Sequence, residues 1–153
     1  TCAEEKAGDV KLTFSLYGCD RMPRNSSELR KAIDCILQCL ECIHKRGIAH
    51  VDVRWPNVIN VQSQWYLIDF EHATEFGNPV PQRLRTVQAE PSVSAADAAL
   101  DCNSLGLMLE EPAIKSMWAG ADKDMFERVV KSLTATQRQS RSAAETLRIL
   151  RAV

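Results

Sequence analysis

The chain has 153 residues, 45% hydrophobic and 25% charged, with a net charge of -1, which is the size and composition of one soluble globular domain with room for a proper core. The near-neutral balance argues against a nucleic-acid binder held by a basic surface. The lack of an apolar run of about 20 residues argues against a membrane-spanning helix. Six cysteines show no zinc-type pairing of C-x-x-C units. Three of them, Cys35, Cys39 and Cys42, fall at helical spacing in one segment, so they read as reduced, small apolar side chains in a protein of the cytoplasm or nucleus.

In chain order, residues 1–9 read as a tail with no signal-peptide core, and residues 10–153 as a single domain. The segment Val10 to Gly18 alternates well enough for a strand, which Gly18 to Pro23 then breaks. Asn25 with Glu28 forms a capping box that opens a long helix. Its apolar residues Leu29, Ala32, Ile33, Ile36, Leu37, Leu40 and Ile43 recur at helical spacing. His44, Lys45 and Arg46 suit the negative end of its dipole, and Gly47 suits a left-handed cap.

The stretch that follows, His50 to Ala73, holds the chemistry. It places Asp52 on a loop, Asn57 five residues later, and Asp69 at the end of an apolar strand. Magnesium bound with a nucleotide takes one or two carboxylate or amide oxygens from the protein and completes its shell with water and phosphate. Asn57 and Asp69 suit that task, and Asp52 suits the orientation of an attacking hydroxyl. Val58–Val61 and Trp65–Ile68, flanking Gln62-Ser63-Gln64, form a short hairpin with Asn57 at one end and Asp69 at the other.

The string H-x-D-x-x-x-x-N, two strands and then D-F-x resembles the catalytic loop and metal-binding segment of the eukaryotic protein-kinase superfamily. The wording HVDVRWPNV with WYLIDFEHA is most similar to the kinase-like C-terminal domains of Crinkler-type effectors of oomycetes and fungi. The resemblance implies a mainly α fold, a kinase C-lobe-like helical domain with a small β-hairpin carrying the catalytic and metal residues. It implies ATP and Mg²⁺ as cofactors, Asp52 and Arg54 as catalytic residues and Asn57 and Asp69 as metal ligands. Ile59 would lie against the adenine ring, and His50 and Phe70 would be structural, His50 buried behind the metal-binding segment and Phe70 packed inward beneath Asp69. The plainer reading of Arg54 is a solvated surface arginine, and Trp55 reads as packing.

Glu71 stands where the usual motif has glycine, a departure reminiscent of small-molecule kinases of the choline and aminoglycoside type. Val51 replaces the arginine that receives activation-loop phosphate in many kinases, so control by loop phosphorylation is not expected. Residues 74–96 occupy the place of the activation segment, with Arg83, Arg85 and Thr86 as candidate substrate contacts and Glu90 in place of the glutamate of A-P-E. A helix beginning at Ser94–Asp97 contains D-C-N-S-L-G, similar to D-x-W-S-L-G of the kinase central helix. The resemblance makes Asp101 its buried acceptor for catalytic-loop N–H groups. Short helices are expected over Ile114–Trp118, Lys123–Leu133 and Ser142–Val153, the last opened by a Ser142/Glu145 box. Arg141 would pair with a carboxylate such as Glu90.

The small-lobe motifs G-x-G-x-x-G and V-A-I-K are absent from this chain, so the resemblance covers a large lobe only, and Asp52, Asn57 and Asp69 are expected to face solvent. The functional expectation is a Ser/Thr-type phosphotransferase acting on a protein substrate, active once completed by further residues or a partner. The alternatives are a non-catalytic binding module that self-associates or meets an N-lobe-supplying partner, and a small-molecule kinase. As an exported effector it would act in a host cell's cytoplasm or nucleus.

Overall fold

The long stripe of apolar residues after Asn25 sets the architecture. In the computed structural model, which describes residues 2–6, 9–13, 18–85, 95–118, 122–135 and 142–152, Ser26–His44 is helix α1. Asn25 caps it by accepting the Glu28 N–H at 2.9 Å, and Gly47 takes the left-handed conformation just beyond its end. Leu29, Ala32, Ile33, Ile36, Leu37 and Leu40 are all fully buried. A cap contributes about 1 kcal/mol, whereas each buried Leu or Ile contributes about 1.5–3 kcal/mol, so packing rather than capping holds this helix in place.

What α1 packs against follows from the rest of the chain. The strands labelled β1 (Cys2–Lys6) and β2 (Asp9–Thr13) pair antiparallel, so a hairpin stands where a tail was expected before a strand. After α1 come β3 (Ile48–Ala49), β4 (Val58–Val61), β5 (Gln64–Leu67) and β6 (Thr74–Glu75), forming two small antiparallel sheets, β3 with β6 and β4 with β5. The β4–β5 turn contains two residues rather than three: Gln62 and Ser63 both have positive φ, 48° and 69°. In β5, Trp65 and Leu67 are buried and Gln64 and Tyr66 exposed, the alternation of a strand with one face on a core. That face rests on α1.

A short helix α2 (Gln82–Arg85) precedes α3 (Ala98–Glu110), whose N-cap is Asp97, accepting from Leu100 N at 2.8 Å. This cap is the last residue of the expected Ser94–Asp97 start, since Ala95 is engaged in a bridge with Pro79 and Ser94 lies outside the described residues. Nearly every side chain of α3 is buried, as expected of a helix enclosed by its neighbours. The elements α4 (Pro112–Lys115), α5 (Lys123–Leu133) and α6 (Ala143–Arg151) complete a mainly helical domain with small two-stranded sheets. Helix α6 packs against both α1 and α5, and α3 lies on α5. Ser142 makes no side-chain cap bond, and Glu145 instead pairs with Arg148 at 2.7 Å, so the second capping box does not form. Among the described residues no helix is long and apolar enough to cross a membrane.

Candidate functional site

The loop after α1 is shaped by a carboxylate from α3. Asp101 is fully buried and accepts the N–H of His50 at 2.7 Å, the N–H of Val51 at 2.8 Å and His44 Nε2–H at 2.9 Å. A charge in the core is tolerable only when hydrogen-bonded in this way. These bonds hold Val51 at φ 73°, a left-handed conformation that a β-branched residue avoids and that persists where surrounding contacts over-determine it. His44, which reads in the sequence as a dipole-matching residue, is thus a third support of the loop.

His50 is fully buried and satisfied at both ring nitrogens. Nδ1 accepts Asp52 N–H at 3.3 Å, which assigns the proton to Nε2, and Nε2–H donates to the carbonyl of Ile68 at 3.0 Å. The ring therefore joins the loop to the residue before Asp69. Phe70 packs its ring edge-on against His50, with centroids 4.6 Å apart, yet remains 44% exposed. The expectation that Phe70 packs inward is thus corrected. The 3-10 turn Phe70–His72 carries the ring outward so that one face meets His50, and the rest has no cover among the described residues.

Asp52 and Asn57 are brought together. Asn57 Nδ2 donates to the Asp52 carbonyl at 2.8 Å and to Asp52 Oδ2 at 2.9 Å, and Arg54 Nε donates to the same Oδ2 at 3.1 Å. Both Asp52 and Asn57 are buried, against the expectation that they face solvent. The 3-10 turn Trp55–Asn57, its Pro56 pre-set for helical φ, folds Asn57 back over Asp52. Trp55 anchors the turn from below, buried, with Nε1–H donating to Met108 O at 3.3 Å. Because Asn57 commits its amide hydrogens to Asp52, its Oδ1 is the atom left for a cation.

Asp69 is exposed, in left-handed backbone at φ 64°, and its carboxylate makes no hydrogen bond among the described residues. Ile68 N–H bonds the Asn57 carbonyl at 2.8 Å, so the hairpin ties the approach to Asp69 to Asn57. No cluster of three or more His, Cys, Asp or Glu able to hold a metal occurs among the described residues. The donors on offer are therefore one amide and one carboxylate oxygen, which fits an ion that arrives with phosphate and water rather than a protein-caged one. A cleft of about 530 Å³ lined by Ser27, Arg30, Asp34, Gln64 and Arg151 includes none of these residues.

Ile59 is half-buried on β4, beside Gly18. The segment carrying Gly18 adds itself to β4 through paired bonds between Cys19 and Asn60, at 3.0 and 2.9 Å. Sequence reasoning missed Arg21 there, which bonds Glu28 and Asn60 and lies over the Trp65 ring. The Arg21 guanidinium, followed by the Arg24 N–H, holds the Glu28 carboxyl below the usual carboxylate range. Arg141, Thr86 and Glu90 lie outside the described residues, as do the side chains of Arg83 and Arg85.

No family model matches the chain. Its sequence is similar to Crinkler effector protein 8 of Phytophthora infestans, with 27% identity over 117 residues, covering 71% of this chain. The chain spans 20% of that protein's length.

Proposed function

We propose that the chain is the large lobe of a protein-kinase-like, Ser/Thr-type phosphotransferase using ATP with Mg²⁺. The observation that carries this reading is that a buried helix carboxylate, Asp101, takes the N–H groups of the loop on which Asn57 clamps Asp52. Asp52 Oδ2 is engaged by Asn57 and Arg54, which leaves Oδ1 to accept the hydrogen bond of a substrate hydroxyl and aim it at the phosphorus. Arg54, whose side chain is half-exposed, is free to leave Asp52 and grip phosphate oxygens with its planar fork. Asn57 Oδ1 and Asp69 would hold Mg²⁺, which when bound neutralises charge on the transferred phosphate. Similarity to a Crinkler effector supports placing the protein among exported effectors that act inside a host's cytoplasm or nucleus.

Incubation with γ-labelled ATP, Mg²⁺ and a mixed protein substrate tests this, alongside Asp52→Ala and Asp69→Ala. Each substitution is expected to lower transfer by about a hundredfold or more, equivalent to about 3 kcal/mol of barrier. Identical background from all three proteins contradicts a catalytic role, and label found only on small molecules assigns the site to a small-molecule kinase. A second reading, a non-catalytic module completed by a partner or a second copy, is favoured by the exposed apolar ring of Phe70. A monomer in sedimentation, with no partner recovered, would count against that reading.

A further inference from the structure

Away from the loop that carries Asp52, residues from the first half of α1, the β4–β5 turn and the end of α6 line the cleft of about 530 Å³. Its size falls within the range of about 300–1,000 Å³ usual for organic ligands, and its charge is lopsided. Arg30, Lys31 and Arg151 line it against a single carboxylate, Asp34, in a chain whose net charge is -1. That carboxylate is already compensated. Arg151 Nε and Nη2 donate to its two oxygens at 2.7 and 3.1 Å, and Gln38 Nε2 donates to Oδ2. Arg30 is fixed against α6, its Nη2 donating to Leu150 O at 2.9 Å. Lys31 is exposed and makes no ion pair among the described residues. The side chains of Ser27 and Ser63, also exposed, make no hydrogen bond there either.

We propose that this cleft is a binding site for a phosphate monoester carried on an organic skeleton. An excess of two positive charges matches an ester that carries about -1.5 to -2 at neutral pH, whereas a carboxylate brings only one negative charge. The donors suit the same group: guanidinium forks meet phosphate oxygens in a plane, Lys31 adds a point charge, and Ser27 and Ser63 add hydroxyls. The cleft is far larger than a bare phosphate ion, and Leu150 and Cys35 also line it, which gives a carbon skeleton apolar surface to lie on. None of Asp52, Arg54, Asn57 and Asp69 lines the cleft, so this site stands or falls separately from the phosphotransferase reading.

The test is calorimetric titration of the full chain with an end-blocked alanine pentapeptide bearing one central phosphoserine, the same peptide with serine, glucose 6-phosphate, and inorganic phosphate. The phosphopeptide or glucose 6-phosphate is expected to bind at least tenfold more tightly than the serine peptide and inorganic phosphate. Preference for the phosphopeptide assigns a phosphorylated polypeptide as the source of the ester, and preference for glucose 6-phosphate a free metabolite; both uphold the site. Lys31→Glu and Ser63→Asp, at exposed positions, each bring negative charge to the cleft and should weaken the preferred probe about tenfold or more. Lys123→Glu, the same charge reversal at an exposed position of α5 outside the cleft, should leave it within a factor of two, as should Asp69→Ala. The proposal is overturned if neither ester binds, if the serine peptide or inorganic phosphate binds as well as the esters, or if Lys123→Glu weakens binding as much as Lys31→Glu. Loss of binding in Asp69→Ala would move the ester to the loop, overturning the cleft site while leaving the phosphotransferase reading in place.

Discussion

Val51 shows how one buried carboxylate sets the loop. Its left-handed backbone costs about 1–2 kcal/mol for a residue with a Cβ, and it is held by the bond from its N–H to Asp101 Oδ1. Val51→Gly removes that strain but also a fully buried side chain, worth about 1.5–2 kcal/mol, and adds about 0.5–1 kcal/mol of chain entropy. The net is a loss of about 1 kcal/mol, measurable by urea unfolding. A loss of about 3 kcal/mol or more would show that the residue carries no strain. At this scale the nearness of Asp52 to Asn57 was legible because the two lie five residues apart on one loop and turn. His44 and Arg21 were not, because their partners Asp101 and Asn60 lie 57 and 39 residues away, where spacing says nothing. The orientation of Phe70 was illegible for a related reason, since its exposure depends on what the rest of the fold places over it.

Helix boundaries follow local signals, and their errors follow competing ones. The α1 start was readable because Asn25 caps Glu28 N directly, although the Glu28 carboxylate reaches the Arg24 N–H at 3.0 Å rather than closing the box on Asn25. The α3 start was readable to within the stretch Ser94–Asp97, of which Asp97 supplies the cap. The hairpin turn was read one residue too long because Gln62-Ser63 lacks the Asn-Gly signal normal for two positive-φ positions. Helix contacts obey packing alone. A Cβ on Gly106 would approach Thr134 Cγ2 to 2.5 Å and Leu133 Cβ to 3.2 Å, so α3 and α5 meet through this glycine. Gly106→Ala gains about 1 kcal/mol of helix propensity but overpacks the contact by about 1–3 kcal/mol. We expect a net loss of about 1 kcal/mol in thermal unfolding. Adding Thr134→Ser, which removes Cγ2 while keeping the hydroxyl bond to Val130 O, should restore it; no recovery in the double variant would place the clash elsewhere.

Across the whole molecule, electrostatics act at the segment joining Gly18 to α1. Glu28 has its carboxyl held below the ordinary range, chiefly by Arg21. Its contribution to stability is therefore present at pH above the unfolded carboxylate value and is lost as pH falls through the lowered folded value. Glu28→Gln should accordingly be less stable than wild type near neutrality, and the gap should close on acidification; a gap constant with pH would show that the charge contributes nothing. The mainly helical character and the hairpin were legible from periodicity, while the burial of Asp52 and Asn57 was not, because it arises from a turn folding back rather than from composition. Phosphoryl transfer at this site requires Asn57 and Asp69 to share one cation brought by a nucleotide. The most direct measurement is paramagnetic broadening in the NMR spectrum of the labelled chain on adding Mn²⁺ with ATP. Selective loss of the Asn57 side-chain amide and of the Asp69 and Phe70 backbone signals, with α5 and α6 unaffected, is the expected result. Uniform broadening, or broadening centred away from Asn57 and Asp69, would contradict it.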